Sequence, residues 1–185
     1  MPDFRIDSER ASFDVTTRPG VPGISARVTG VQGSFRATFG DDGAVDLAQP
    51  VAGAFSLTVG DLRTGNQWIT ARIPWLGPAD KALIRGSIIH ARPRPDGKVD
   101  LPLTLEVGDR TVKQVGTGQV VTRPAGTVEA YGGTLCDPRS FGIPLPPLVN
   151  LMVFVRWRLF LEPFPDGVDP ALDALLAEAE AGGAT

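Results

Sequence analysis

The chain of 185 residues is long enough for one domain with a sizeable core, and its net charge of −3 argues against a nucleic-acid-binding domain. Its 22 glycines and 17 prolines far exceed the average share of the pair, about 12%, and would repeatedly break long helices. With 42% apolar and 21% charged residues, the chain can bury enough apolar surface to exclude disorder.

Apolar and polar residues alternate with a period of two along most of the chain, which predicts β-strands. The candidate strands cover residues 11–15, 31–39, 55–60, 84–90, 99–107, 111–122, 126–132 and 151–162. Turn-forming sequences separate several of them, at 40–43, 95–97 and 107–110. About eight strands in antiparallel succession exclude a parallel α/β fold. They favour an all-β protein whose sheet closes into a single barrel with solvent outside.

The C-terminal segment 168–181 has the pattern of an amphipathic helix. Asp169 is a favourable N-cap, and Pro170 suits the first helical position. The preceding strand, 151–162, is apolar on both faces, so both faces need a cover. We therefore predict one barrel domain over 4–163, with the C-terminal α-helix packed on the outer face of its last strand.

The sequence contains one histidine, His90, and one cysteine, Cys136, so it can form neither an internal disulfide nor a conventional zinc site. The two could act as base and nucleophile only if the fold brought them together. No nucleophile-elbow motif is present, and the glycine-rich stretches 116–118 and 132–133 do not match a phosphate-binding loop. These glycines are expected to bend strands, and no catalytic residue, metal or cofactor is predicted.

Arg156 and Arg158 lie on one face of an otherwise apolar strand. We expect them to point outward and pair with carboxylates such as Glu162. The alternative is that they face an anionic headgroup at the mouth of a cavity.

The ends and apolar runs of the chain suggest no membrane insertion. The N-terminus lacks the basic start and apolar stretch of a signal peptide. The longest apolar run, 148–155, is far shorter than the about 20 residues that span a bilayer. We expect a soluble, cytoplasmic protein without a transmembrane segment, and a homodimer is compatible with the sequence.

A series of motifs resembles the YceI-like family, in the order in which that family has them. They are the opening strand 4–15, the "V-x-G-x-F"-like strand 28–35, the segment 55–66 ending in Thr64-Gly65-Asn66, the hairpin 99–112 and the stretch 137–143. The chain departs from the family pattern at 67–76. The resemblance implies a lipocalin-like, eight-stranded antiparallel barrel with an elongated apolar pore, and a non-catalytic protein that binds a polyisoprenoid chain.

Alternation also indicates which side chains face the lumen, although a shift of one residue would reverse every face. The predicted ligand-binding residues, with Trp68 and Trp75 near a mouth, are Phe13, Val15, Phe35, Phe55, Leu57, Trp68, Trp75, Ile88, Leu103, Leu105, Val155 and Trp157. An apolar small molecule, an isoprenoid or an acyl lipid, is the expected partner. Two alternatives remain at this point: a small barrel enzyme with a polar pocket, and a structural or interaction domain whose lumen is filled by its own side chains.

Overall fold

The computed structural model describes residues 3–17, 23–76, 81–122, 127–145, 151–164 and 167–182. Within them one antiparallel sheet dominates. Its strands are β1 (Asp3–Ile6), β2 (Ser12–Thr17), β3 (Ser25–Arg36), β4 (Ala52–Arg63), β5 (Lys81–Ile88), β6 (Arg92–Pro93), β7 (Val99–Val107), β8 (Arg110–Thr122), β9 (Val128–Cys136) and β10 (Val153–Pro163). Two α-helices accompany them, α1 (Gln67–Thr70) and α2 (Pro170–Gly182), with a 3₁₀ turn at Pro138–Phe141.

The sheet closes on itself. Its strands follow the order β10-β2-β3-β4-β5-β7-β8-β9, and β9 pairs back with β10 from Leu161↔Val128 to Val153↔Cys136. The short strand β1 pairs with both β10 and β3 and so shares the position of β2, while β6 adds a two-residue pairing to β7. The predicted eight-stranded antiparallel barrel with a C-terminal helix is confirmed.

Strand β3 differs from its predicted course. It begins at Ser25 rather than at residue 31, because a register shift between Thr29 and Gln32 interrupts the alternation, and Gly30 there has a φ of 60°. The strand also ends at Arg36. The residues that follow form a loop, 37–51, in which only Phe39 makes a β-bridge, to Val45.

Other boundaries also shift slightly. The predicted strand 126–132 corresponds to β9, which begins at Val128, and Gly126 lies outside the described residues. The turn at 107–110 is a two-residue hairpin in which Gly108 has a φ of 61°, as the first central residue of a type II′ turn requires. The segment 66–82 contains α1, and its residues 77–80 are not described.

Helix α2 packs on the outer face of β3 and β4, not on β10 as expected. Its N-cap is Asp169, whose Oδ1 accepts the backbone N–H of Ala171 at 2.9 Å, and Leu172 is fully buried. On the outer face of β10, the Arg10 guanidinium lies 3.9 Å from the centroid of the Phe160 ring. Among the described residues, no helix is both long and apolar enough to cross a membrane.

Candidate functional site: an apolar lumen in two chambers

Within the described part of the chain, the inward-facing side chains leave two cavities, one at each end of the barrel. Chamber one, of about 100 Å³, lies at the end where β3 runs into the 37–51 loop. Its walls come from several strands and from that loop, and they include Phe4, Phe35, Phe39, Leu47, Ile88 and Leu101. The Phe39 ring packs edge-to-face on the ring of Phe4, with 5.6 Å between the centroids. The loop thus forms part of the chamber wall at this end.

Chamber two, of about 150 Å³, lies at the opposite end, near α1 and the 3₁₀ turn. Its walls include Val15, Leu57, Trp75, Leu105, Ile143 and Val155. The indole N–H of Trp75 donates a hydrogen bond to the backbone carbonyl of Phe141, and both residues line the chamber. This bond joins the segment after α1 to the 3₁₀ turn and fixes the wall of chamber two.

Among the described residues, four side chains line both chambers, and together they form the waist of the lumen: Phe13, Phe55, Leu103 and Trp157. Phe13 and Trp157 are paired residues of β2 and β10. The waist therefore draws residues from four strands, and it separates one chamber from the other.

Glycines on neighbouring strands leave room for the waist aromatics. A Cβ at Gly86 would lie 2.1 Å from the Phe55 ring, and Cβ atoms at Gly116 and Gly132 would lie 2.7 and 2.8 Å from the Trp157 indole. At Gly86 and Gly116 these distances are too short for any residue larger than glycine without movement of the ring, and at Gly132 a Cβ would also lie 2.4 Å from a backbone oxygen of β8. The rings consequently lie against glycine backbone, in the space that side chains would otherwise occupy.

The chamber walls offer a ligand almost nothing to hydrogen-bond. Arg36 is at the edge of chamber one, but its guanidinium is held by Asp3 at 2.6 and 2.7 Å. In chamber two the Thr134 hydroxyl donates to the carbonyl of Val115 at 2.8 Å, and burial raises the pKa of the Cys136 thiol to about 11. The lumen therefore favours hydrocarbon over any polar or charged group.

Eleven of the twelve predicted ligand-binding residues lie on the chamber walls, although their binding role stays a prediction. Trp68 is the exception. It lies on α1, at the end of chamber two, with 59% of its surface exposed, and the Arg72 guanidinium stacks 3.5 Å from its ring centroid. Lining residues from the 37–51 loop, such as Val45 and Leu47, were missed because they follow no strand alternation.

The potential catalytic pair is not assembled. Cys136 ends β9 beside chamber two, whereas His90 follows β5 at the chamber-one end and lines neither cavity. The raised pKa of the thiol also keeps Cys136 protonated at neutral pH, which disfavours its use as a nucleophile.

The two arginines of β10 lie on the outer face of the barrel. Arg158 bonds Glu129 at 2.5 Å, and Arg156 approaches Asp14 to 4.0 Å across neighbouring strands. Glu162, the suggested partner, instead bonds the arginine of β1 at 2.9 Å. Neither arginine lines a chamber.

Fold and cavity together define a lipocalin-like β-barrel with an apolar lumen. The sequence matches no protein-family profile, and no curated protein matches it. The structure is similar to a polyisoprenoid-binding domain from Saccharophagus degradans implicated in plant cell wall breakdown. That likeness covers 89% of this chain and 100% of the other, with a TM-score of 0.53 and 13% identity.

A second similar structure is BcnA of Burkholderia cenocepacia. The similarity covers 84% of this chain and 98% of BcnA, with a TM-score of 0.52 and 12% identity. Both proteins have the YceI-like lipocalin fold, so the resemblance noted in the sequence is confirmed at the level of the fold.

Proposed function

We propose that this protein is a non-catalytic carrier that encloses an apolar chain, a polyisoprenoid or a similar lipid, in the lumen of its barrel. The observation that carries the proposal is the two-chambered lumen, whose walls are hydrocarbon and whose few polar groups are buried or already engaged. Such a surface binds by removing apolar area from water and needs no polar recognition motif.

The energetics support a chain-like ligand. Burial contributes about 0.8 kcal/mol per methylene group, so a chain of about fifteen carbons gains roughly 10 kcal/mol before the costs of association. A polar headgroup would lose its hydration inside either chamber without gaining a partner. We therefore expect the headgroup of such a ligand to stay outside the lumen.

The structural likeness supports the same class of ligand, because one protein of this fold is described as a polyisoprenoid-binding domain. The separation of His90 and Cys136 and the apolar character of the lumen support the non-catalytic part of the proposal. A cytoplasmic location is part of the proposal, as an expectation from the sequence alone.

Organic-solvent extraction of the purified protein, followed by mass spectrometry of the extract, tests the proposal. We expect an isoprenoid or acyl lipid in the extract, and one farnesol molecule per chain when the extracted protein is titrated and examined by native mass spectrometry. If the protein yields no lipid and binds no farnesol, the carrier proposal falls and a structural or interaction domain becomes the favoured alternative.

A pair of variants places the binding in the lumen. Val155 lines chamber two, whereas Val115 is 54% exposed on the outer surface of the neighbouring part of the barrel. Val155→Phe should lower farnesol affinity about tenfold, the equivalent of about two methylene groups that no longer fit. Val115→Phe adds the same ring outside the lumen and should leave the affinity unchanged. Equal effects of the two substitutions would argue against a luminal site.

A further inference from the structure

We propose that the waist formed by Phe13, Phe55, Leu103 and Trp157 is the element that determines which chain lengths the lumen accepts. This inference rests on the proposed carrier function and adds a selection step to it. Chains that fit within one chamber bind without moving the waist, whereas longer chains have to displace one of its aromatic rings.

The volumes of the chambers carry the first step. An apolar cavity of about 150 Å³ in a protein accommodates a molecule the size of benzene. Chamber two has this volume and chamber one is smaller, at about 100 Å³. Neither chamber alone can hold a long isoprenoid or acyl chain. Such a chain has to extend from one chamber into the other, and the waist lies between them.

The packing of the two rings carries the second step. Phe55 lies over Gly86, and Trp157 lies over Gly116 and Gly132, so each ring is seated against a neighbouring strand. Displacing either ring would leave a gap over glycine backbone and push the ring into a chamber. The contacts of a chain that crosses the waist therefore have to offset the packing energy that the displaced ring loses, whereas a chain within one chamber displaces no ring.

A matched pair of substitutions separates the waist from the rest of the wall. Phe55 and Phe35 are both phenylalanines whose rings lie over a glycine of the adjacent strand, Gly86 and Gly53 respectively. Phe55 lines both chambers, but Phe35 lines only chamber one. Phe55→Leu and Phe35→Leu thus remove the same atoms, but only the first opens the waist.

The test compares the binding of prenol, farnesol and geranylgeraniol, isoprenoid alcohols of increasing length, by native mass spectrometry of the lipid-free proteins. Prenol is about the size of benzene and fits within one chamber, whereas the two longer alcohols have to cross the waist. Phe55→Leu should raise the affinity for geranylgeraniol relative to prenol about tenfold over the unaltered protein, which corresponds to about two further buried methylene groups. Trp157→Leu should act in the same direction. Phe35→Leu should leave the relative affinities for the three alcohols as they are in the unaltered protein.

Three results would decide the matter. If Phe55→Leu, Trp157→Leu and Phe35→Leu all shift the relative affinities equally, the waist has no special role and the inference falls while the carrier function stands. If the affinity of the unaltered protein for geranylgeraniol already shows the full gain expected from its additional methylene groups, the waist is no barrier and the inference falls in the same way. If the unaltered protein binds none of the three alcohols, the carrier function falls and takes the inference with it.

Discussion

The ring of Phe55 lies directly over Gly86 of the neighbouring strand, so close that a Cβ on the glycine would come within 2.1 Å of it. Gly86 does not have a positive φ, so its requirement for glycine is steric rather than conformational. Gly86→Ala should lower the free energy of unfolding by about 1–3 kcal/mol, as overpacking of a core does. Urea denaturation measures the change.

Introducing the same substitution into a Phe55→Ala protein tests whether the Phe55 ring causes the loss of stability. If the clash with the ring is responsible, Gly86→Ala should cost almost nothing in a protein that already carries Phe55→Ala. Gly40→Ala is a suitable control, since its Cβ would meet the exposed Asp42 carboxylate at 3.0 Å and the Ala44 backbone oxygen at 4.0 Å, and its φ is not positive. An equal loss of stability with and without the Phe55 ring would contradict the steric explanation.

The N-terminal strand is tied to the barrel by a buried ion pair. Asp3 is almost fully buried and accepts hydrogen bonds from Arg36 at 2.6 and 2.7 Å and from the backbone N–H of Asp169 at 2.6 Å. Removing one partner of a buried pair leaves the other charge uncompensated. Asp3→Asn should therefore destabilise the protein by about 3 kcal/mol in urea denaturation at neutral pH.

Asp173 provides the matched control, because it bonds the same Arg36 at 2.7 Å but its side chain is 57% exposed. Asp173→Asn should cost at most about 1 kcal/mol, as exposed pairs do. If the two asparagine variants were equally stable, the buried position of Asp3 would have no energetic importance.

The same ion pair predicts a pH dependence. Burial raises the pKa of Asp3, but the hydrogen bonds from Arg36 and from the Asp169 backbone, together with the Arg36 charge, outweigh it and hold the pKa below its usual value. The stabilisation is thus complete above the unfolded-state pKa of about 3.9 and is lost as the pH falls through the lower folded-state value. The stability difference between the unaltered protein and Asp3→Asn should shrink in that acidic range. A difference independent of pH would rule out this linkage.

Inward-facing positions could be predicted from the sequence wherever strands alternate without interruption. Phe13, Val155 and Trp157 lie on such runs, and all three line the lumen. The alternation fails at the register shift after Thr29, because a bulge changes the face of every residue beyond it. The start of β3 could therefore not be predicted from the alternation.

Periodicity also could not predict contacts between distant parts of the chain. Helix α2 seats where Ser34 donates a hydrogen bond to Asp169 and Arg36 bonds Asp173, and no local pattern relates these residues. From the sequence, the C-terminal helix was paired with the last strand only because both have an apolar face. On the outer face of β10, the Arg10 guanidinium, instead of the helix, lies against the Phe160 ring.

The buried thiol of Cys136 should make the protein less stable at alkaline pH. Burial raises its pKa to about 11, an effect only partly offset by a hydrogen bond with Thr134. A thiol whose pKa is higher in the folded state stabilises the protein below the unfolded-state value of about 8.5, and this contribution disappears as the pH rises toward 11. Cys136→Ala lacks that contribution, so the advantage of the unaltered protein should fall by up to about 3 kcal/mol across this range. Parallel stability curves for the two proteins would show that the thiol is not buried in solution.

The seat of helix α2 can be tested at Leu172, which is fully buried although the helix lies outside the barrel. Leu172→Ala should lower the free energy of unfolding by about 2–5 kcal/mol, whereas Val168→Ala, at a position 46% exposed, should change it little. Deleting the chain from residue 168 onward should uncover apolar surface and reduce solubility.

Hydrogen exchange of the truncated protein locates the uncovered surface. Because α2 contacts β3 and β4, the backbone amides of these two strands should exchange faster after truncation, while those of β10 should keep their protection. Faster exchange confined to β10 would instead place the helix on the last strand, and unchanged solubility and melting would mean that the helix contributes nothing to the barrel. The polar contacts of Asp169 and Asp173 with β3 make the first result the expected one, since truncation removes them together with Leu172.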